Sequence, residues 1–174
     1  MIQSLGALMR SLTNQSPVSV VPAIAIVLAV GVVGCSSSVP KESQSLPITA
    51  EVELGGRTIK LEVAQTPEEQ AIGVMFRESL ADDRGMLFPV DPPRPVQFWM
   101  KNVEIPLDLL FITEGEIVAI ESNVPPCLEE PCPTYGPEGV PVDAAIEVRG
   151  GLAEDLRVEV GTAVDVEALS EPSE

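Results

Sequence analysis

The sequence predicts a β-rich α+β domain: a single antiparallel β-sandwich or barrel with one α-helix in its N-terminal half. Three observations point there. Short segments alternate apolar and polar residues, as half-buried strands do. Gly55-Gly56, Glu114-Gly115 and Gly150-Gly151 punctuate those segments as turns. One stretch alone, beginning at Thr66, carries the start signals of a well-capped helix. Many short strands with a single helix pack as a β-rich domain around one core.

Taken in order, Ile48–Leu54 (ITAEVEL) sets Ile48, Ala50, Val52 and Leu54 on one face, and Arg57–Val63 sets Ile59, Leu61 and Val63 on one face. Gly55-Gly56 between them suits the positive φ angles of a type I′ hairpin turn. In Thr66-Pro67-Glu68-Glu69 the threonine suits the N-cap, the proline the first helical position, and Glu69 completes a capping box. The helix is expected over residues 67–76, with Ala71, Ile72 and Met75 inward. Gly73 weakens it by ~1 kcal/mol relative to Ala, so close packing against a neighbour is expected there. Residues 79–85 read as an acidic turn and 86–88 as a short buried strand. The three prolines of 91–95 (DPPRP) remove backbone donors, so that stretch is predicted to be a stiff, exposed loop. Alternation resumes at 96–100, placing Trp99 and Lys101 on the face opposite Phe98. Leu107–Thr113 and residues 116–122 form a second hairpin about Glu114-Gly115. A proline-rich irregular stretch follows, holding Cys127 and Cys132. Residues 142–148 are a strand, 152–156 one helical turn, and 158–166 one or two closing strands around Gly161.

Residues 1–34 are unlike the rest, with Arg10 as their only charged side chain and a nearly continuous apolar run over 18–33. Sixteen residues is short for a spanning helix, which needs ~20. A basic start, a short apolar run and a small-residue exit are the plan of a secretory signal. The exit Val32-Val33-Gly34-Cys35 resembles the bacterial lipoprotein lipobox. That resemblance implies cleavage before Cys35 and lipidation of its side chain and amino end, so that acyl chains hold the protein to the membrane. An uncleaved anchor helix is the other reading, and either places the domain outside the cytoplasm. The lipid would sit in the cell membrane or on the periplasmic side of the outer membrane; Ser36, not Asp, leans toward the latter. The organisation expected is therefore a signal peptide (1–34), a Ser/Pro-rich tether (35–47), the β-rich domain (48–167) and a disordered tail (168–174).

All 27 acidic residues lie beyond residue 35, against nine basic ones, so the chain after the signal carries a net charge of about −18. That argues against nucleic acid or anionic lipid headgroups as partners; a cationic partner is the alternative to the preferred reading, which is solubility and spacing from a negatively charged membrane. A monomer is expected. The sequence contains no histidine. This removes Ser–His and Cys–His nucleophile systems, imidazole bases and most zinc sites. Neither a cofactor nor a metal centre is implied.

The stretch VQFWMKNVEIPLDLLF (96–111) is the best place for a site, since it sets Lys101, Asn102, Glu104 and Asp108 between apolar runs around the single tryptophan. The candidate binding residues are Arg77, Trp99, Lys101, Asn102, Asp108, Tyr135 and Glu147. Asp108, if partly buried, would recruit Arg77 or Lys101. The competing reading is an ion-pair network that fixes the turn at 102–106, where Asn102 suits a left-handed backbone. The function preferred is a non-catalytic domain binding a small ligand or a protein partner. A hydrolase or lyase acting through Asp108 and Glu147, with Glu104 as a further acid, is the alternative. A third reading is Cu(I) bound by Met75, Met86 and Met100, whose thioethers suit that ion but equally suit gaps in a core. Cys127 and Cys132, in an oxidising compartment, favour a disulfide that stabilises by ~2 kcal/mol.

Several phrases together (TPEEQAIGVMFR, GMLF, FWMKN followed by IPLDLLF, and IEVRGG-L) resemble the family known as domain of unknown function 192. The resemblance covers about residues 51–166. It implies a jelly-roll-like β fold, often behind a signal or lipoprotein peptide, and no assigned activity. The pattern departs at Val103, where the family commonly has threonine.

Overall fold

The computed structural model describes residues 42–169. The expected signal peptide, Cys35 and most of the tether lie outside these residues, as does the end of the tail. Strands β1 (Ile48–Leu54) and β2 (Arg57–Val63) pair antiparallel through Gly55 and Gly56, both at positive φ (54° and 79°). Helix α1 (Pro67–Ile72) starts with the expected capping box: Glu69 N–H donates to the Thr66 hydroxyl at 3.2 Å, and Thr66 N–H to the Glu69 carboxylate at 2.9 Å. It ends four residues sooner than predicted. Gly73 turns the chain with φ 51° and ψ −130°, its N–H bonding to Glu69 C=O at 2.8 Å.

The helix is a crossover, and the strand it leads to, β3 (Arg84–Arg94), runs parallel to β2. An all-antiparallel sheet was expected; the sheet is mixed because this connection carries the chain back to the same end. β3 also extends through Pro92 and Pro93, where an exposed loop was predicted. Its register with the next partner jumps between Pro89 and Arg94, so the prolines fall where the ladder is already interrupted and no N–H is required. That partner is β8 (Val142–Arg149), which lies between β3 and β5 (Leu107–Thr113). β5 turns at Glu114 and Gly115 into β6 (Glu116–Val124). After the short α2 (Leu152–Asp155), β9 (Val166–Ala168) pairs with β1. The seven strands order as β6-β5-β8-β3-β2-β1-β9.

No closed barrel forms among the described residues. Instead, the segment before β9 straps the sheet: Ala163 bridges Glu116, and Val164 N–H bonds to Gly115 C=O, before β9 joins β1 at the opposite edge. Of the predicted closing strands over 158–166, only a bridge and β9 are regular. A two-stranded ribbon pairs β4 (Phe98–Trp99) with β7 (Thr134–Tyr135). β4 is shorter than the expected 96–100 because Asn102, at φ 58°, turns the chain and Val103 N–H bonds back to Met100 C=O.

The central strands are buried on both faces. Leu110, Ile112, Ile146 and Val148 belong to one core with Val52, Ile59 and Leu152. Leu107, Leu109, Phe111 and Ala145 belong to the other with Met86, Phe88 and Met100. The folded part also reaches beyond the predicted 48–167. Gln44 donates to Glu69 and Gly73 carbonyls, Leu46 N–H donates to Glu62, and Leu169 N–H bonds to Thr49 C=O. Those backbone and amide groups find partners on the domain, so the tether ends sooner and the tail begins later than composition suggests.

Candidate functional site

Glu147 anchors the candidate site. Ile146 and Val148 enter the first core, so the Glu147 side chain projects to the opposite face, beside its register partners Met86 on β3 and Leu109 on β5. It is 6% exposed, and its Oε2 is buried without a hydrogen-bond partner among the described residues. Burial pushes its carboxyl up to about 8, with the Arg77 charge drawing it part of the way back. At neutral pH it is mostly a neutral acid in an apolar setting.

A narrow cleft of about 30 Å³ reaches it, room for about two water molecules. One wall is the end of α1 and the turn after it, residues 70–75; the other is Phe88, Phe98 and Val103, with Trp99 at the mouth. Phe88 and Phe98 pack edge to face at 5.1 Å between centroids. Gly73 keeps the passage open. A Cβ there would lie 3.3 Å from the Phe88 ring and 3.7 Å from Glu147 Oε2, and its backbone angles favour glycine. Gln70, the other polar side chain in the lining, already spends its amide N–H groups on Ala64 and Pro89 carbonyls.

Arg77 does not meet Asp108. Its guanidinium grips Glu62 in a forked pair at 2.7 and 2.8 Å and donates to Gln44 C=O at 2.8 Å. Burial would raise the Glu62 carboxyl, but the Arg77 bond, the Leu46 N–H and the nearby positive charges outweigh it and hold it below the usual range. Arg77 Nε is the second buried side-chain atom without a partner among the described residues.

Trp99 is 51% exposed. The Lys101 ammonium lies 5.6 Å from its ring centroid and 2.5 Å from Glu130. Glu130 sits in the loop closed by the Cys127–Cys132 disulfide, and Cys127 N–H bonds to Met100 C=O at 3.2 Å, next to Trp99. Tyr135 faces Phe98 across the ribbon.

Asp108 lies elsewhere. It is fully buried on the first-core face and accepts three backbone N–H groups, from Asn123 at 2.6 Å, Gly151 at 2.9 Å and Ala153 at 2.7 Å. Those bonds satisfy the carboxylate, which recruits neither Arg77 nor Lys101. On adjacent strands, Asp108 stands opposite Val148 and Leu109 opposite Glu147, so the two acids point to opposite faces and cannot share a substrate. Asn102 supplies the left-handed turn, its C=O accepting Phe76 N–H at 2.8 Å and its amide reaching Met75 Sδ at 3.8 Å. Met75, Met86 and Met100 are all core residues. Of the candidates named from sequence, the cleft thus joins Trp99 and Glu147, with Lys101 at its rim.

Glu62, Gly73, Phe88 and Phe98 were not named as site residues from the sequence. Glu62 alternates with inward-facing neighbours and so reads as solvent-facing; Thr58 and Lys60 on its face of β2 are exposed, but Leu46 and Arg77 cover Glu62 at the strand's end. Gly73 did carry a signal, as a glycine inside an apparent helix.

Two solved structures are similar to this chain. One is a protein of unknown function from Novosphingobium aromaticivorans, 32% identical, covering 71% of this chain and 92% of its own, with a TM-score of 0.61. The other is described as a "putative transcription regulator" from Sinorhizobium meliloti, 34% identical, covering 71% of this chain and 98% of its own, also at 0.61. Among curated proteins none matches. The family model for DUF192, an uncharacterized ACR, matches residues 50–166, from β1 to β9 and including the whole cleft. The chain belongs to the DUF192 family.

Proposed function

We propose that this protein is a non-catalytic binding domain, held outside the cytoplasm by lipid at Cys35, that takes a small ligand in the cleft over Glu147. The observation that carries the reading is the orphaned, buried Glu147 Oε2 at the foot of an aromatic passage. An unsatisfied buried polar atom costs stability, and a ligand group entering the cleft would relieve that cost. Binding is favoured over hydrolysis because a carboxyl pair is what acid–base chemistry of this kind requires, and Asp108 faces the other side of the sheet. A nucleic-acid role finds no support in a chain with a net charge of −17.

The test is a thermal-shift screen of the full chain in non-ionic detergent against small amines, carboxylates, sugars and peptidoglycan fragments. A ligand at 100 times its Kd should stabilise the fold by ~2.7 kcal/mol, several degrees for this size. The hit should be lost in Glu147→Gln and in Trp99→Ala, and kept in Asp108→Asn. Hits indifferent to the first two changes would place the site elsewhere.

A further inference from the structure

We infer that the cleft receives the end of an alkylammonium ligand, its nitrogen seated on Glu147 between the aromatic walls and its chain leaving past Trp99. The inference rests on reading the cleft as a binding site and adds the chemical class of what it binds. Four observations lead to it.

The charged groups near the site are already paired, apart from Glu147. Arg77 is neutralised by Glu62 and Lys101 by Glu130, so neither has a charge to spend on an anion. Glu147 is the acid left without a partner; an ammonium supplies N–H donors to its oxygens and the counter-charge its carboxylate needs once the proton has left. The walls offer little to a polyol or a sugar. Apart from Gln70, whose donors are used, the lining consists of apolar side chains, Gly73 and Trp99. Aromatic faces with one carboxylate are the chemistry that holds organic ammonium groups. Trp99 already holds one: the Lys101 ammonium packs over its ring.

Size narrows the class further. About 30 Å³ admits an ammonium or methylammonium head but not a ring or a branched carbon. The ligand must therefore enter end-on, and the half-exposed Trp99 covers the part of the chain nearest the mouth.

Seating the cation costs the Glu147 proton. The carboxyl O–H breaks, the proton leaves to solvent, and the ammonium, keeping all its own hydrogens, pairs with the carboxylate formed. Binding therefore strengthens as pH rises toward the point where Glu147 ionises by itself. Arg77, tied to Glu62, is the charged group that acts on that carboxyl, and Lys101, tied to Glu130, stands at the rim.

The experiment is isothermal titration of the full chain in non-ionic detergent with n-butylamine, butan-1-ol and butyrate. At pH 7 the n-butylammonium ion is expected to bind with release of nearly one proton, read from the difference between two buffers of unlike ionisation enthalpy. Its affinity should rise between pH 6.5 and 8. Butan-1-ol and butyrate should not bind. Glu147→Gln should weaken n-butylammonium at least ~10-fold, and Trp99→Ala, a change at an exposed rim that leaves the core intact, by ~3-fold or more. Equal binding of butan-1-ol, or n-butylammonium binding unaffected by Glu147→Gln, overturns the cation assignment. So does the failure of all three probes. In each case the thermal-shift screen tells whether the cleft itself survives, by whether any hit is lost in Glu147→Gln.

Discussion

Glu147 keeps its proton at neutral pH because β8 carries it into a core with no partner for Oε2. The sign of its effect on stability follows. Below the ordinary carboxyl value of 4.5 the acid is protonated folded or unfolded, and burial costs least. Between 4.5 and about 8 the unfolded chain releases a proton that the folded chain retains, so stability falls with rising pH. Above 8 both forms are ionised and the full penalty stands, on the order of several kcal/mol. Glutamine in its place has no such dependence. Glu147→Gln is therefore expected to gain on the wild type progressively in urea unfolding at pH 5, 6.5 and 8, whereas a constant difference would mean that the carboxyl is ionised in the fold. Glu62 has the opposite character, its stabilisation present above its unfolded range and lost in acid, so only the difference between the two proteins isolates Glu147. Glu147 and Trp99 were legible as candidates in the sequence because each is a conspicuous residue type in an apolar run. Their companions Phe88, Phe98 and Gly73 were not, since an aromatic residue or a glycine reads first as packing or turn.

At the scale of elements, the parts that could be read are those specified locally. Two hairpins carry glycine turns, and the capping box of α1 lies within four residues. What escaped depends on distant contacts. The parallel pairing of β2 with β3, the passage of β3 through its prolines and the early end of α1 are set by neighbours far along the chain. Asp108 shows the same limit. LDLLFI is buried on both faces, so alternation cannot say which side its acid takes, and Asp108 turns out to tie β5 to β6 and to the start of α2. Asp108→Asn would place an amide donor against a backbone donor. It is expected to cost about 2–4 kcal/mol, visible as a melting temperature lower by roughly 10 °C, while ligand binding at the cleft persists. Loss of binding with unchanged stability would instead make Asp108 part of the site.

Over the whole molecule, the net charge of −17 and the paired state of Arg77 and Lys101 favour a cation at Glu147. The two solved relatives match over 92% and 98% of their lengths, so the described domain corresponds to nearly all of each. The measurement that bears most directly on the site is the pH titration of the Glu147 carboxyl carbon by NMR in glutamate-labelled protein, its signal identified by its absence in Glu147→Gln. A midpoint near 8 that moves lower when n-butylamine is added is the expected result. A midpoint near 4.5, unmoved by the amine, would contradict a desolvated acid waiting for a cation.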